Sequence, residues 1–273
     1  MTKLSIIIPS YRDPLLIKTI DSLLTNSVLN IGELEIIAVI DGYEPTFELK
    51  QDPRVKYIKL GKNRGMRGAI NAGVDIAKGE FFMRLDEHCC FGKGYDKILT
   101  DACQPNEIMT ARRFFLDPVK WEVMQDKGYV DYERLDIQNI SEGVRKFAGR
   151  PWKERDEKRK DVMVDETQAM QGSMWIAPLK WFREVVGELD TEHYGPLIQD
   201  SVEVCMKTWQ AGGRLMLNKN TWFAHKHRDF PRTHNNGSPE NPAQNEKGYK
   251  YALDTWEKYY LEVLVPRWAE WEK

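Results

Sequence analysis

Asp86 and His88 stand two residues apart at the end of an apolar run, in FFMRLDEHCC. At the carboxyl end of a buried parallel strand the pair would point side by side into the crevice where open α/β sheets bind ligands. Carboxylate oxygen with imidazole nitrogen suits Mn²⁺, Mg²⁺ or Zn²⁺, and an ion so held could neutralise a diphosphate leaving group. A D-x-H triplet also arises by chance, and a charged strand end is commonly just solvated, so the surroundings must decide. His225 and His227 end a second apolar segment, RLMLNKNTWFAHKHR, and Asp41 ends EIIAVID beside Gly42, where it could bind a ligand or only shape a turn. Asp200 and Glu203 precede and enter a helical stripe of Val202, Cys205, Met206 and Trp209; Asp200 there could also be a plain N-cap. Arg67 and Asn71 lie one helical turn apart, near the cleft or on a solvated helix face. Cys89, Cys90, His225 and His227 make a rival zinc set, awkward because two of its cysteines are contiguous.

These residues need a scaffold, and the pattern supplies one. LSIIIPSYRD begins with a β-branched strand, and Asp13-Pro14 reads as an N-cap and first helical residue ahead of Leu16, Ile20, Leu23 and Leu24. EIIAVID and VKYIKL read as strands. Gly65 opens a helix on which Met66, Ala69, Ile70, Gly73, Ile76 and Ala77 share a face, leading into the strand of Asp86. Strands alternating with helices of this length imply a parallel sheet with right-handed crossovers. EIMTARRFFL reads as a strand, DPVKWEVMQDKG as a capped helix, and 129 to 165 as a polar insertion. MQGSMWIAP is a further strand and PLKWFREVV a helix closed by Gly187. Trp175, Trp181 and Trp209 read as core aromatics. Residues 229 to 247 look like a mobile loop, and the segment of Tyr251, Trp256, Tyr259 and Tyr260 like a helix packing back. The dinucleotide fingerprint G-x-G-x-x-G and the phosphate-loop G-x-x-x-x-G-K-[ST] are both missing.

Composition narrows the class. With 273 residues, 41% apolar and 30% charged, the chain can bury a large α/β core and is not a disordered polymer. A net charge of −2 gives no global attraction to nucleic acid or an anionic membrane. There is no run of eighteen apolar residues, no signal-peptide pattern and no C-x-x-C spacing, so the expectation is a cytoplasmic protein with reduced thiols.

Taken in order, LSIIIPSYRDPLLIKTIDSLL, IIAVIDG, NRGMRGAINAGVDIAKGEFFMRLDEH, MQGSMWIAPLKWFREVVGELD with GPLIQDSVEVCMKTWQAGG, and AHKHR resemble the GT-A glycosyltransferases of the family 2 type. The same blocks are similar to the catalytic domain of polypeptide N-acetylgalactosaminyltransferases, whose metal motif has the D-x-H form where most members have D-x-D. The resemblance implies a GT-A α/β fold with a mostly parallel central sheet, with residues 1–228 as catalytic domain and 229–273 as a loop and C-terminal helical extension. It implies a divalent cation, Mn²⁺ or Mg²⁺, held by Asp86, His88 and His225, with His227 in reserve. Pro9, Ser10 and Tyr11 would line the base and ribose, Asp41 would hydrogen-bond them, and Arg228 would sit near the phosphates. Asp200 would be the general base of an inverting enzyme, with Glu203 as the alternative acid; the N-acetylgalactosaminyltransferase likeness argues instead for retention.

The expected activity is sugar transfer from a nucleotide diphosphate sugar, UDP above others, to an acceptor hydroxyl. Two acceptors are open: a surface glycan or its lipid-linked precursor, and a hydroxymethylated pyrimidine in phage-type DNA. The second rests on Arg145, Lys146, Arg150, Trp152, Lys153 and Arg155, a mixture of bases and aromatics that could equally be a solvated charge run. A compact chain of this kind fits a bacterial or bacteriophage origin. A reading of another class is a nucleotide-sugar-binding protein that kept the fold without catalysis.

Overall fold

The computed structural model describes residues 1–227 and 242–269. Arg228 and residues 229–241 of the expected loop lie outside them. The first half is the anticipated alternation: β1 (Leu4–Ser10), α1 (Leu15–Asn26), β2 (Leu34–Asp41), β3 (Val55–Leu60), α2 (Gly65–Ile76) and β4 (Phe81–Leu85). These four strands lie in the order β3, β2, β1, β4 and all run parallel. Along β1 the side chains alternate. Leu4, Ile6 and Ile8 pack with Leu16, Ile20 and Leu23 of α1, while Ile7 packs on the opposite face with Ala69 and Ile70 of α2. Burial on both faces is why β1, β2 and β4 read as near-continuous apolar runs, each large aliphatic side chain contributing about 1.5–3 kcal/mol, whereas the edge strand β3 mixes apolar residues with exposed lysines. On α2 the inward stripe includes Val74, and Ile76 is exposed, one residue off the expected face.

The second half comprises β5 (Cys89–Phe91), α3 (Tyr95–Ala102), β6 (Glu107–Asp117), β7 (Glu122–Val123), β8 (Tyr129–Val130), β9 (Glu133–Ser141), β10 (Val144–Pro151), α4 (Lys153–Lys158), β11 (Val164–Glu166), β12 (Met174–Pro178), α5 (Leu179–Val185), α6 (Asp200–Gln210) and β13 (Arg214–His225). The sheet continues from β4 through β12, β6 and β13 to β11. β12 runs antiparallel to both β4 and β6, whereas β6 and β13 are parallel. The sheet is thus mostly parallel with a reversed strand in its middle. That reversal matters for the site: it brings the start of β12 beside the end of β4, where Asp86 N–H donates to Ser173 O at 2.9 Å.

Two segments depart from the sequence reading. DPVKWEVMQDKG is not a helix: β6 runs through Asp117, the chain turns, and Glu122–Val123 pairs back on Leu116 and Asp117. Val119 is exposed, Trp121 and Val123 pack against a small cluster of Cys90, Leu116 and Ala224, and only Gln125–Lys127 makes a short 3-10 turn. Residues 129 to 165 are not a loose polar insertion either. β9 and β10 form an antiparallel hairpin, and Tyr132, Leu135, Phe147 and Trp152 are buried in the core on the α2 face of the sheet. The chain end completes that core. α7 (Pro242–Tyr259), beginning inside the expected loop, runs into a π-helical turn (Tyr260–Leu264) and α8 (Val265–Trp268). Trp256 Nε1 donates to Tyr194 Oη at 2.8 Å, Tyr260 Oη to Leu135 O at 2.8 Å, and Trp268 meets Trp152 and Trp209 edge-on. Among the described residues no helix is long and apolar enough to cross a membrane.

Candidate active site

The carboxyl ends of β1, β2 and β4 open into a cavity of 530 Å³. Pro9, Ser10, Tyr11, Asp41, Asn63 and Asp86 are among its lining residues, so four of the positions expected on the nucleotide side share one wall system with Asp86. Local contacts shape it. Tyr11 N–H donates to the Glu87 carboxylate, at 3.1 and 3.2 Å from its two oxygens, and Ser10 Oγ lies 2.7 Å from Tyr43 Oη. Asp41 Oδ1 accepts the Arg64 N–H at 2.7 Å. That bond depends on Gly42, which has φ 72° and onto which a Cβ would meet Asn63 N at 2.0 Å; no other residue lets the 61–64 loop lie so close. Burial pushes the Asp41 carboxyl up to about 6, opposed by the backbone N–H groups of Arg64 and Gly65.

A second cavity of 370 Å³ adjoins the first, sharing Met66, Asp86 and Leu197, and is lined further by Arg84, Gln171, Gly172, Ser173, Asp200, Ser201, His225 and His227. Asp86 stands between the two. His225, the last residue of β13, has Nε2 3.1 Å from Asp86 Oδ2, outside hydrogen-bond alignment. The His88 ring lies 5.0 Å from that of His225, and its Nδ1 is 3.0 Å from Asp13 Oδ2. One ligand atom from each of Asp86, His88 and His225 lies within 4.8 Å of the others. His88 Nε2 and both ring nitrogens of His225 are buried without a hydrogen-bond partner. Buried polar atoms are rarely left so, and three convergent donors of this kind match the carboxylate-imidazole set of a divalent cation.

Electrostatics favour the ligand forms. Burial works against the charged form of Asp86, but the charge of the Arg84 guanidinium beside it holds its carboxyl well below the usual carboxylate range. Burial pulls His225 down to about 4, against the pull of Asp86, so its ring is neutral at pH 7 with a lone pair available. Burial would raise Asp13, but its bonds to His88 and Leu15 N–H outweigh that and lower it. Asp13, Glu87 and His88 also converge within 4.8 Å, but Asp13 and Glu87 already accept hydrogen bonds from Leu15 and Tyr11.

Other expected residues fall elsewhere. His227 lines the smaller cavity, but its Nε2 meets Arg113 Nη1 at 3.0 Å and its ring stacks on Phe115. Cys89 and Cys90 belong to β5 and its packing, and neither is in the converging set, which removes the zinc alternative. Arg67 and Glu203 are corrected: both are buried, Arg67 Nη1 pairs with Glu203, and neither lines the cavities. Arg67 also donates to Ile198 O and lies over the Tyr194 ring, and Glu203 accepts from Lys207 at 2.7 Å. The pair ties the 190–198 loop to α2 and α6. Asp200 does reach the cleft. It opens α6 after Gln199, whose φ of 57° is strained for a side chain with a Cβ. It lines the smaller cavity and also a groove of 390 Å³ bounded by β10 and Tyr249. Reading the sequence missed Arg84, although it stands two residues before Asp86 on one strand face, and gave Asp13 only a capping role.

A crevice at the carboxyl ends of parallel strands, with one carboxylate and two imidazoles converging beside it, is where open α/β sheets bind ligands. The match to the Glycosyl transferase family 2 model spans residues 5–170, and the chain belongs to that family. The chain is 25% identical over 232 residues to mouse (Mus musculus) Polypeptide N-acetylgalactosaminyltransferase 12, a match covering 79% of this chain and 38% of that protein. Its fold is that of a solved structure described as GalNAc-T7 with UDP, GalNAc and Mn²⁺, at TM-score 0.71 and 18% identity over 96% of this chain and 50% of that one. The chain therefore spans half or less of the length of these relatives.

Proposed function

We propose that this chain transfers a sugar from a nucleotide diphosphate sugar, a UDP-sugar in the first instance, to the hydroxyl of an acceptor glycan or its lipid-linked precursor. The observation that carries this is the convergence of ligand atoms of Asp86, His88 and His225, two of them buried imidazoles, where Asp86 lines both the 530 Å³ cavity and the adjoining 370 Å³ cavity and His225 lines the second. These three residues would hold Mn²⁺ or Mg²⁺, which, when bound, supplies charge neutralisation for the departing diphosphate. The GalNAc-T7 structure with UDP and Mn²⁺ supports the choice of nucleotide and ion. Ser10, Tyr11 and Asp41 bind base and ribose. Asp200, across the smaller cavity from Asp86, takes the proton of the acceptor hydroxyl as the bond to the sugar forms.

The choice of a glycan over DNA rests on the 145–159 segment. Arg145 pairs with Glu257, Arg150 with Asp136, and Arg155 and Arg159 with Asp165, while Trp152 is buried. Cations already matched to carboxylates release little on meeting phosphate, and a buried indole offers no face for a base. Four buried, unpaired cysteines support a reducing compartment such as a cytoplasm.

The test is release of UDP from a panel of nucleotide sugars with Mn²⁺, with and without EDTA, comparing wild type with His88→Ala. Metal-dependent release from one donor, lost in the variant, is the expected result. No release from any donor together with no metal-dependent nucleotide binding overturns the proposal.

A further inference from the structure

Arg84 sits in an otherwise apolar strand whose neighbours Phe82, Met83 and Leu85 are fully buried. Its side chain is 1% exposed, yet it forms part of the floor of the smaller cavity. Nη2 makes all the contacts: Asp86 Oδ1 at 2.9 Å, Met66 Sδ at 2.8 Å and Asp200 Oδ2 at 3.7 Å. Nε and Nη1 are buried and unpartnered. A buried guanidinium with unfilled donors is costly unless strong ion pairs offset it. Here the two carboxylates come from elements far apart in the chain, the end of β4 and the start of α6.

We infer that Arg84 is a positioning residue that joins the ion-holding carboxylate to the acid on the acceptor side. By taking Asp86 Oδ1 it leaves Oδ2, the oxygen nearest His225, directed at the shared ligand point. By standing beside Asp200 Oδ2 it sets where that acid lies relative to Asp86. Its charge has a second effect. Asp86 and Asp200 together carry two negative charges, and Arg84 cancels one of them close to where a cation would bind. The site alone thus holds a divalent ion weakly and relies on the negative charge of the nucleotide diphosphate to complete it. Arg84 therefore opposes tight binding of the free ion while supporting transfer.

This rests on the proposed metal-dependent transferase reading, so the test separates the two. Mn²⁺ binding is measured by electron paramagnetic resonance without and with UDP for wild type, Arg84→Met and Arg84→Lys, alongside kcat and donor KM. Losing an outer-shell partner ordinarily costs about 10- to 100-fold in metal affinity; here the partner is a cation beside a divalent ion, the charge repulsion removed outweighs that cost, and the expected result is tighter binding of free Mn²⁺ by Arg84→Met, about tenfold at least. Its kcat should fall about tenfold or more with donor KM little changed, because Asp200 loses its partner. Arg84→Lys keeps the charge but replaces the guanidinium whose Nη2 reaches both carboxylates by a compact ammonium on a differently shaped stem, so its Mn²⁺ affinity should match wild type while kcat still falls. Weaker or unchanged Mn²⁺ binding in Arg84→Met would overturn the inference and leave the transferase reading intact. If Arg84→Met does not fold, Arg84→Lys decides: wild-type kcat in that variant overturns the inference. Wild type that binds no Mn²⁺ with or without UDP removes the metal reading and this inference with it.

Discussion

Asp13→Asn is the sharpest single change for the proposed metal site. Asp13 makes two contacts with two oxygens: Oδ1 accepts Leu15 N–H at 2.9 Å at the start of α1, and Oδ2 faces His88 Nδ1 at 3.0 Å. An ionised carboxylate accepts only, so the His88 proton resides on Nδ1 and Nε2 keeps the lone pair that faces Asp86 and His225. Asparagine is nearly isosteric but can satisfy only one of these demands. With its oxygen on Leu15, its amide donates to Nδ1 and drives the proton to Nε2, which then cannot ligate. With the amide reversed, the Leu15 cap is lost, at a cost of about 0.5–2 kcal/mol. The bond to His88 is charge-assisted, a class worth about 1.5–3 kcal/mol. The first route blocks the ligand nitrogen, the second weakens the start of α1, and both remove the carboxylate charge behind His88; losing such an outer-shell partner costs about 10- to 100-fold in Mn²⁺ affinity, about 1.4–2.8 kcal/mol. Calorimetric titration of Mn²⁺ in the presence of UDP measures it, with the thermal midpoint as a control on folding. Mn²⁺ affinity within twofold of wild type in a folded Asp13→Asn protein would refute the reasoning.

Three further outcomes follow from the same geometry. Asp200→Asn should lower kcat by about 10²- to 10⁴-fold while leaving UDP and Mn²⁺ binding in place; unchanged turnover would remove Asp200 as the base. Glu203→Gln should cost stability, because it leaves buried Arg67 without its carboxylate; breaking such a pair costs about 3–5 kcal/mol, and a urea midpoint equal to wild type would contradict the structural role. Asp41, raised to about 6 from an ordinary 3.8, favours the folded protein when protonated. Its contribution to stability is full below about pH 3.8 and is lost as pH rises through about 6. Ligand binding runs the other way, since the carboxylate is the acceptor for base or ribose. UDP affinity should weaken as pH falls below about 6, and Asp41→Asn should abolish that step; a pH dependence identical in the variant would exclude Asp41.

Much of the site was legible before any coordinates, because its parts are local. Apolar strands that end abruptly in Asp41 or in Asp86 and His88 declare where a parallel sheet opens, and the helix period of residues 65 to 77 gives the intervening crossover. The ordered blocks from LSIIIPSYRD to AHKHR carried the family, and β1, β2 and β4 formed where they were read. The 129 to 165 stretch was not legible. Tyr132, Leu135, Phe147 and Trp152 are scattered among charges and show no face until β9, β10, α7 and α8 meet.

Partnerships between distant residues were equally hidden. Arg67 and Glu203 are separated by 136 positions, and each alone is a polar residue on a helix near a cleft. Only their contact turns two candidate site residues into an internal strut. Asp13 and His88, 75 positions apart, went the opposite way, from a helix cap to the orienting partner of a ligand. Hydrophobic periodicity and abrupt strand ends act over a few residues, so the parallel strands β1, β2 and β4, the crevice at their ends and the residue types at its mouth could be read along the chain. Which charges neutralise one another and which remain free to meet a substrate was decided by tertiary structure, because Coulomb and hydrogen-bond energies depend on distance through space and not along the chain.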